Sequence, residues 1–256
     1  MQEHEAHNEL PNWLTLLYQN FPNFRLIQFL HSWENIFFSL LIASIFIGIF
    51  WVAAKRETFL VSNVRNLVET IVESFENFVV SITGERGRKY VPFIGTLFIY
   101  ILLMNWSGLI PFSKSPTSSW SVTAGLAIVS TTYIHYLSIR ELGLGGYIRH
   151  LAGNLNGVLF WTIGLFFIFP LMFVLDAFVL PFSLSLRLFA NISSEDALLF
   201  NFAQLVTTSP VFILLQILAN LLAILFSTIQ ALVFTLLTTI YLSLFTLHHE
   251  EEPRVN

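Results

Sequence analysis

The chain has 256 residues, of which 55% are hydrophobic and 11% charged, with a mean hydropathy of +0.71 and a net charge of −4. This composition excludes an ordinary soluble domain, because soluble globular chains carry about a quarter charged residues. The sequence has no cysteine, which excludes disulfides, thiolate metal sites and cysteine nucleophiles. The apolar residues fall in long uninterrupted blocks, as is typical of membrane spans of about 20 residues each.

The N-terminal third predicts a tail, one span and one interfacial helix. Residues 1–30 begin with an acidic stretch that lacks the basic region of a signal peptide. We therefore interpret them as an outer N-terminal tail of the mature protein. The first span is predicted at residues 31–54. Residues 58–82 then place apolar side chains on one helical face and Glu69 and Glu73 on the other, which indicates an amphipathic helix in the membrane interface.

The remaining chain predicts a helical hairpin and two very long helices. Residues 90–138 contain two spans joined by a polar loop, and a glycine-rich loop is predicted at residues 140–157. Two apolar stretches fill residues 157–247 and are separated only around Pro210. The sequence thus predicts an all-α integral membrane protein with about five crossings, an interfacial amphipathic helix, and two long tilted helices at the C-terminal end.

The distribution of basic residues predicts the orientation. Half of the twelve Lys and Arg residues lie between the first two spans, namely Lys55, Arg56, Arg65, Arg86, Arg88 and Lys89. Arg140 and Arg149 follow the third span, whereas the opposite loops hold only Lys114. The positive-inside rule then places the N-terminus outside and, with five crossings, the C-terminus inside.

The last apolar stretch, residues 211–247, has no proline, glycine or charge. As one helix it would be about 55 Å long, against a hydrocarbon core of about 30 Å. Two spans with a tight turn would fit the membrane better, but no residue here favours a turn. Polar residues spaced over the stretch share an arc of roughly 80° at ~100° per residue, which favours one continuous helix. They are Gln216, Asn220, Ser227, Gln230, Thr238 and Tyr241.

The preceding long stretch has a polar stripe of its own. Its members again share an arc of roughly 80° and are Asp176, Ser183, Arg187, Asn191 and Ser194, with Glu195 and Asp196 beside the end of the arc. Pro170 and Pro181 are expected to bend this helix. Polar groups in lipid need partners, so we expect the stripes of the two helices to face each other. Serine, threonine and asparagine alone would more often serve helix packing.

Arg187 is the residue that packing does not explain. An arginine in the bilayer interior costs at least about 2.5–3.5 kcal/mol and keeps its charge at every physiological pH. Such a charge pairs with an acid or guards an ion path. Asp176 lies about 16 Å away along a helix axis, and no acid stands three or four residues from Arg187. Its partner is therefore expected on another chain.

Other polar residues carry weaker signals. His135 lies in mid-span and stays unassigned, because a packing role explains it equally well. His248, His249 and Glu250–Glu252 are interpreted as a solvated tail rather than a metal site. No metal, cofactor or nucleic-acid partner is expected.

Three segments carry a resemblance to a known family, subunit a of the F-type ATP synthases. They are residues 181–191 (PFSLSLRLFAN), residues 229–243, which begin IQALVF and end IYLS, and residues 105–111 (NWSGLIP). The resemblance covers most of the chain from residue 31 onward and is most specific around Arg187 and Gln230. It implies a stator subunit whose two tilted helices lie against a rotating ring of c subunits. No nucleotide-binding motif is present, so ATP chemistry is expected in partner subunits.

The resemblance also implies roles for residues. Arg187 would meet the carboxylate of a c subunit, force its ion off, and block leakage between two offset half-channels. Gln230 would sit opposite the arginine, and Asn191 and Asp196 would belong to the outer half-channel. Further expected partners are the peripheral-stalk subunit b, other ATP synthase subunits and the lipid bilayer.

The chain departs from the family pattern at several positions. Ala190 replaces a common glycine, and Glu195-Asp196 stands where an Asp-Glu or Gly-Glu pair is common. Some members have a histidine where this chain has Ala223. The outer path is then expected to run through Glu195, Asp196, Asn220, Gln216 and water. Either of the two carboxylates could dominate, and the conducted ion could be H⁺ or Na⁺.

Two other functions were weighed. A secondary transporter could bind an anionic substrate at Arg187, but such folds carry internal repeats and broken helices in both halves, whereas the last helix is predicted to be unbroken. A structural scaffold does not explain why Arg187 is tolerated. A bacterial inner (plasma) membrane is the expected location, with an organelle's energy-transducing membrane as the alternative.

Overall fold

The computed structural model describes residues 12–22, 24–55, 62–110, 112–152 and 164–247. Its α-helices are α1 (Trp13–Asn20), α2 (Arg25–Ser32), α3 (Glu34–Lys55), α4 (Ser62–Thr83), α5 (Val91–Ser107), α6 (Trp120–Leu151), α7 (Phe166–Thr208) and α8 (Ile213–Leu247). No strand occurs in these ranges, and the predicted all-α class is confirmed. The start of the predicted tail, the predicted interfacial helix before residue 62 and the terminal His and Glu residues lie outside the described residues.

The number of spans also agrees with the sequence. Within the described ranges, four helical segments are long and apolar enough to cross a membrane, and they are Glu85–Ser107, Trp120–Arg149, Phe166–Thr208 and Pro210–Leu244. Helices α2 and α3 form a pair bent by 85°, which counts as a fifth span if the two act together. Helix α4 is not among the spans, as predicted for an interfacial helix.

Two predicted boundaries are wrong. The first span was expected to start at residue 31, but the chain leaves the helical conformation at Trp33 (φ −115°, ψ 28°), so α3 begins at Glu34. The loop predicted at 140–157 is helical as far as Leu151. Glycine disfavours a helix by only about 1 kcal/mol relative to alanine, and tertiary packing overrides that preference here. Only Gly143 leaves the helical conformation, with φ 70° and ψ 166°.

Helix α8 is one unbroken helix of 35 residues, as the polar phase predicted. It contains no proline or glycine that would break or end a helix, so the hydrogen-bond ladder continues from end to end. At 1.5 Å per residue it is about 52 Å long. Since the hydrocarbon core is about 30 Å thick, the helix must tilt or extend beyond the core.

The prolines of α7 produce wide turns. Pro170 and Pro181 each clash with the carbonyl four residues earlier, at Phe166 and Ala177. Both of those residues lie inside π-helical turns, Gly164–Ile168 and Leu175–Val179, where the chain avoids the clash. A π turn rotates less per residue than an α turn. The helical phase calculated at about 100° per residue therefore does not relate Asp176 to the polar residues that follow the second π turn.

The chain divides into two compact units. The first contains Met1–Val61, Leu97–Thr123 and Arg187–Val233. Its N-terminal helix is anchored to the polar loop after α5, because the backbone N–H of Trp13 donates to the carbonyl of Phe112 (3.0 Å). Asn12 donates to the buried carboxylate of Glu34, which also lies 3.8 Å from the ammonium of Lys114. The predicted tail is thus structured from residue 12.

The second unit contains Ser62–Thr96, Ala124–Leu186 and Phe234–Asn256. Its core is a buried cluster of Val79, Tyr90, Ile94, Ile134, Leu137, Tyr147, Leu151 and Leu242. Helix α4 packs Phe75, Phe78 and Val79 on this core and leaves Glu69 and Glu73 exposed. The amphipathic division predicted for α4 is therefore confirmed.

Gly143 provides a test of the break in α6. Neither Gly143 nor its neighbour Gly145 has an atom within 4 Å of an added Cβ, so the two differ in backbone conformation alone. We expect Gly143→Ala to destabilise the subunit by about 1–3 kcal/mol, because this φ/ψ region belongs almost only to glycine. Gly145→Ala should be neutral or stabilising by up to about 1 kcal/mol. Thermal denaturation of the membrane complex measures both, and equal effects would contradict the assigned break.

Candidate functional site

Arg187 lies on the exposed side of α7. The preceding and following turns of the helix bury Leu184 and Leu188, whereas Arg187 points away from them. Within the part of the chain that the structure describes, no hydrogen bond or ion pair involves its guanidinium. The expectation that no partner lies on its own helix agrees with this geometry.

The surface around Arg187 is poorly covered by the chain itself. Only 17% of the apolar window of α7, and the same share of α8, is buried inside the chain, against 39% and 44% for the spans of α5 and α6. The last two long helices therefore leave most of their surface for lipid or for another protein. A charge on such a surface requires a counter-charge or water.

The polar stripes of α7 and α8 meet one turn beyond Arg187. Asn191 donates from Nδ2 to Oε1 of Gln230 at 2.6 Å. Gln230 is only 4% exposed, and its Nε2 is buried with no hydrogen-bond partner among the described residues. A buried amide of this kind needs an explanation, because most buried polar atoms are hydrogen-bonded.

A second contact joins the helices one turn further on. Ser227, which is fully buried, donates from Oγ to the carboxylate of Glu195 at 2.7 Å. The backbone carbonyl of Ser227 accepts from Nδ2 of Asn105 at 3.1 Å, and Oδ1 of Asn105 accepts from Thr117 at 2.7 Å. The half-buried Glu195 is thus held by a chain of hydrogen bonds that reaches the loop after α5.

Asp196 points in a different direction from Glu195. An added Cβ on Gly108 would lie 3.3 Å from Oδ1 of Asp196 and 2.8 Å from Cβ of Ser115. Only glycine leaves room for this approach, since a real Cβ at 2.8 Å would force the chain to shift. The two neighbouring carboxylates therefore serve different surroundings, one beside Ser227 and the other beside the end of α5.

Gln216 and Asn220 bond to each other rather than to the acids. Nε2 of Gln216 donates to Oδ1 of Asn220 at 3.3 Å along the same helix face. Beyond them, Ala219 and Ala223 are buried against Leu199, with Leu109 and Phe202 packed around them. Ala223 is therefore surrounded by close apolar packing.

Asp176 and Ser183 do not join this group. They belong to the second unit, where Asp176 is half-buried and Ser183 is exposed. Of the predicted residues, the structure brings together Asn191, Gln230 and Glu195 with Ser227.

The roles of Thr117 and Ser115 were not predicted from the sequence. Residues 113–119 were expected to form a polar loop, yet both side chains are almost fully buried and bond to each other at 2.8 Å. The sequence feature that could have indicated these roles is the run of serine and threonine residues at 113–119, directly after a span.

Known proteins of one family are similar to this chain. Residues 36–243 match the family model of the ATP synthase A chain. A relative from Protochlamydia amoebophila (strain UWE25), ATP synthase subunit a, is 40% identical over 253 residues, covering 95% of this chain and 91% of that protein. The subunit a of Moorella thermoacetica (strain ATCC 39073 / JCM 9320) is 37% identical over 213 residues, covering 82% and 87%. With its all-α membrane fold and these matches, the chain belongs to the ATP synthase subunit a family.

Proposed function

We propose that this chain is the proton-conducting stator subunit of a rotary F-type ATP synthase, with Arg187 separating two offset half-channels that face the c-subunit ring. The observation that carries the proposal is the exposed guanidinium of Arg187, which has no hydrogen bond or ion pair among the described residues. It stands on α7, which, like α8, the chain leaves largely uncovered. A ring of membrane-embedded carboxylates supplies both the counter-charge and the covering surface. The peripheral-stalk subunit b and the other subunits complete the complex in the lipid bilayer.

Electrostatics explains the role of the arginine. Two unit charges 4 Å apart interact by about 4 kcal/mol at an effective dielectric of 20. A rotor carboxylate that reaches Arg187 is therefore favoured in its charged form and releases its proton. The same positive charge repels a free proton that would pass directly between the half-channels. Arg187 thus permits rotation of a charged carboxylate and opposes an uncoupled leak.

The outer half-channel is assigned to the residues that follow Arg187 on α7. Glu195 lies eight residues later, or about 12 Å along the helix, and α7 runs from the inner to the outer side in the orientation proposed here. Its carboxylate, held by Ser227, is placed to exchange a proton with water from outside. Asp196 supports access of protons from the side of Gly108. Gln216 and Asn220, which bond to each other, continue the polar path along α8.

Gln230 is assigned to the contact with the rotor. Asn191 fixes its Oε1, which leaves the buried Nε2 as a donor. Because the chain itself covers this atom, the donor can reach a rotor carboxylate only through a water beside Arg187. A hydrogen bond to the charged form of a carboxylate stabilises that form. The amide therefore assists Arg187 in holding the carboxylate deprotonated.

Arg187→Ala tests the barrier directly. We expect ATP-driven proton pumping in membrane vesicles to be lost, while passive proton leak through the intact complex rises by about a hundredfold or more, since about 4 kcal/mol of repulsion is removed. Arg149→Ala, which removes an exposed arginine near the end of α6, is the matched control and should leave both rates unchanged. Normal coupled pumping in Arg187→Ala would overturn the proposed function.

Glu195→Gln and Asp196→Asn test which carboxylate dominates the outer path. We expect Glu195→Gln to slow proton flow by about a hundredfold, because a positioned proton-transfer group contributes at least that factor. Asp196→Asn should have a smaller effect, since Oδ1 of Asp196 lies beside Gly108 whereas the carboxylate of Glu195 is bonded to Ser227 on α8. ATP synthesis driven by an imposed pH gradient measures both. A larger loss in Asp196→Asn would reverse the assignment.

A double-mutant cycle distinguishes what the Asn191–Gln230 hydrogen bond contributes to stability from what the two side chains contribute to proton pumping. Asn191→Leu leaves the buried Oε1 of Gln230 unsatisfied and should lower the thermal stability of the complex by about 1 kcal/mol. Adding Gln230→Leu should restore that stability, because no buried polar group is left unpaired. Pumping should stay low in the double variant. Recovery of pumping together with stability would make the pair purely structural.

A further inference from the structure

The first unit carries an exposed apolar helix face that the proposed function does not use. At about 100° per residue, helix α2 places its apolar side chains within roughly 160° and its polar side chains within roughly 120° on the other side. The apolar positions are Leu26, Ile27, Phe29, Leu30 and, directly after the helix, Trp33, and the polar positions are Arg25, Gln28, His31 and Ser32. A helix divided in this way is typical of a membrane interface.

Most of the apolar face is left uncovered by the chain. Leu26, Phe29 and Trp33 are 60%, 64% and 54% exposed. Helix α1 packs on another side of α2, where the rings of Tyr18 and His31 lie 4.5 Å apart. Single exposed apolar side chains are ordinary, but three of them on one face of an eight-residue helix indicate a binding surface.

The polar face is open to water, and its side chains bond within the same segment. Nε2 of the exposed Gln28 donates to the carbonyl of Pro22 at 2.7 Å, and Oγ of the exposed Ser32 donates to the carbonyl of Gln28 at 2.9 Å. Arg25 is also exposed and stands at the boundary between the two faces, where a long basic side chain can keep its charge in water. These polar side chains therefore need no partner from another protein.

The direction of α2 follows from its angle to α3. The chain bends by 85° between Arg25–Ser32 and Glu34–Gly48. Helix α3 has 22 residues and is about 33 Å long, which is enough to cross the hydrocarbon core of about 30 Å without α2. With α3 crossing the membrane, α2 therefore lies along the membrane surface at the end of the span.

The apolar face of α2 continues into an exposed side of α3. Trp33 stands at the bend, and Ile36 and Leu40, three and seven residues later, are 39% and 62% exposed. This spacing follows one side of a helix. The apolar surface thus runs from a spanning helix onto a helix at right angles to it, with a tryptophan at the corner. The hydrocarbon core and the interface of one leaflet have this geometry, and tryptophan is enriched where they meet.

We propose that α2 is an interfacial lipid anchor, with Leu26, Phe29 and Trp33 inserted at the boundary between head groups and acyl chains and the polar face in water. Arg25 is the only Asp, Glu, Lys or Arg between residues 12 and 33. Burial of apolar side chains, rather than attraction to anionic lipids, therefore holds the helix. With the orientation predicted above, the anchor lies in the outer leaflet. This role of α2 is independent of the function proposed above.

The anchor also fixes the loop after α5. The backbone N–H of Trp13 donates to the carbonyl of Phe112, and Phe112 has a φ of 64°, which is uncommon outside glycine. The side chain of Phe112 is 62% exposed. Since α1 packs on α2 and bonds to this loop, lipid contact at α2 holds α1 and the loop at one level of the membrane.

Spin labels on the two faces of α2 test the anchor in the complete complex, reconstituted into phosphatidylcholine bilayers. Because the chain has no cysteine, Leu26→Cys and Gln28→Cys each give one labelled site once any cysteines of the other subunits are replaced by serine. Collisions with oxygen report hydrocarbon, and collisions with a water-soluble nickel chelate report water. We expect the ratio of oxygen to nickel collisions to be at least about tenfold higher at residue 26 than at residue 28, because a polar reagent enters apolar surroundings at high cost. Adding phosphatidylglycerol should leave this ratio unchanged.

Each other outcome would overturn the proposal. Equal nickel access at both positions would place the apolar face in water. A label at residue 26 that neither reagent reaches would mean that another subunit, or a second copy of this chain, covers the face. Oxygen access without nickel access at both positions would make α2 part of a broken span. A ratio that rises only with phosphatidylglycerol would make the contact electrostatic.

Hydrogen exchange tests the same anchor without a label. Phe29→Asp places a charge on the apolar face, and Gln28→Asp, the matched control, places the same charge one residue away on the polar face. We expect Phe29→Asp to speed amide exchange of residues 12–33 in the reconstituted complex at least about tenfold, because local opening is easier once the apolar face has left the lipid. Gln28→Asp should exchange as the wild type does. Equal exchange rates in the two variants would show that lipid contact does not hold the helix.

Discussion

A permanent positive charge inside an apolar helix is the constraint on which the other features depend. Arginine cannot be neutralised at physiological pH, and lipid offers it no counter-charge. In the structure, Arg187 lies on the exposed side of α7, and the rest of the chain covers little of α7 and α8. A partner that brings an acid to the same depth would supply the missing counter-charge, as in the function proposed above.

The polar residues near Arg187 differ in whether their hydrogen-bonding groups have partners. Asn105, Thr117 and Ser227 are almost fully buried and bond mainly within the protein, which holds Glu195 in place. Gln230 is bonded through one end of its amide only. Buried polar groups that are satisfied rigidify a site, whereas an unsatisfied one is costly unless a partner arrives.

Much of the helical structure of the last two helices could be predicted from local sequence alone. The unbroken length of α8 followed from the lack of any breaking residue, and the shared face of Gln216, Asn220 and Gln230 followed from helical phase. Phase failed across the π turn that accommodates Pro181, because the rotation per residue changes there. The glycine content of residues 140–157 also led to a loop being predicted where α6 continues to Leu151. A glycine-rich segment can be helical when packing favours it. Among the glycines described in α6, only Gly143 leaves the helical conformation.

The sequence by itself determined that the chain crosses a membrane, that its last helix is continuous, and that Arg187 lacks an acid on its own helix. These are properties of composition and helical period, which act over a few residues. Tertiary structure decided which side chains meet: Ser227 with Glu195, Asn191 with Gln230, and Tyr147 with His135. Such pairs join residues that are 12 to 39 positions apart. Their contact depends on how helices pack and turn, and no local period encodes that.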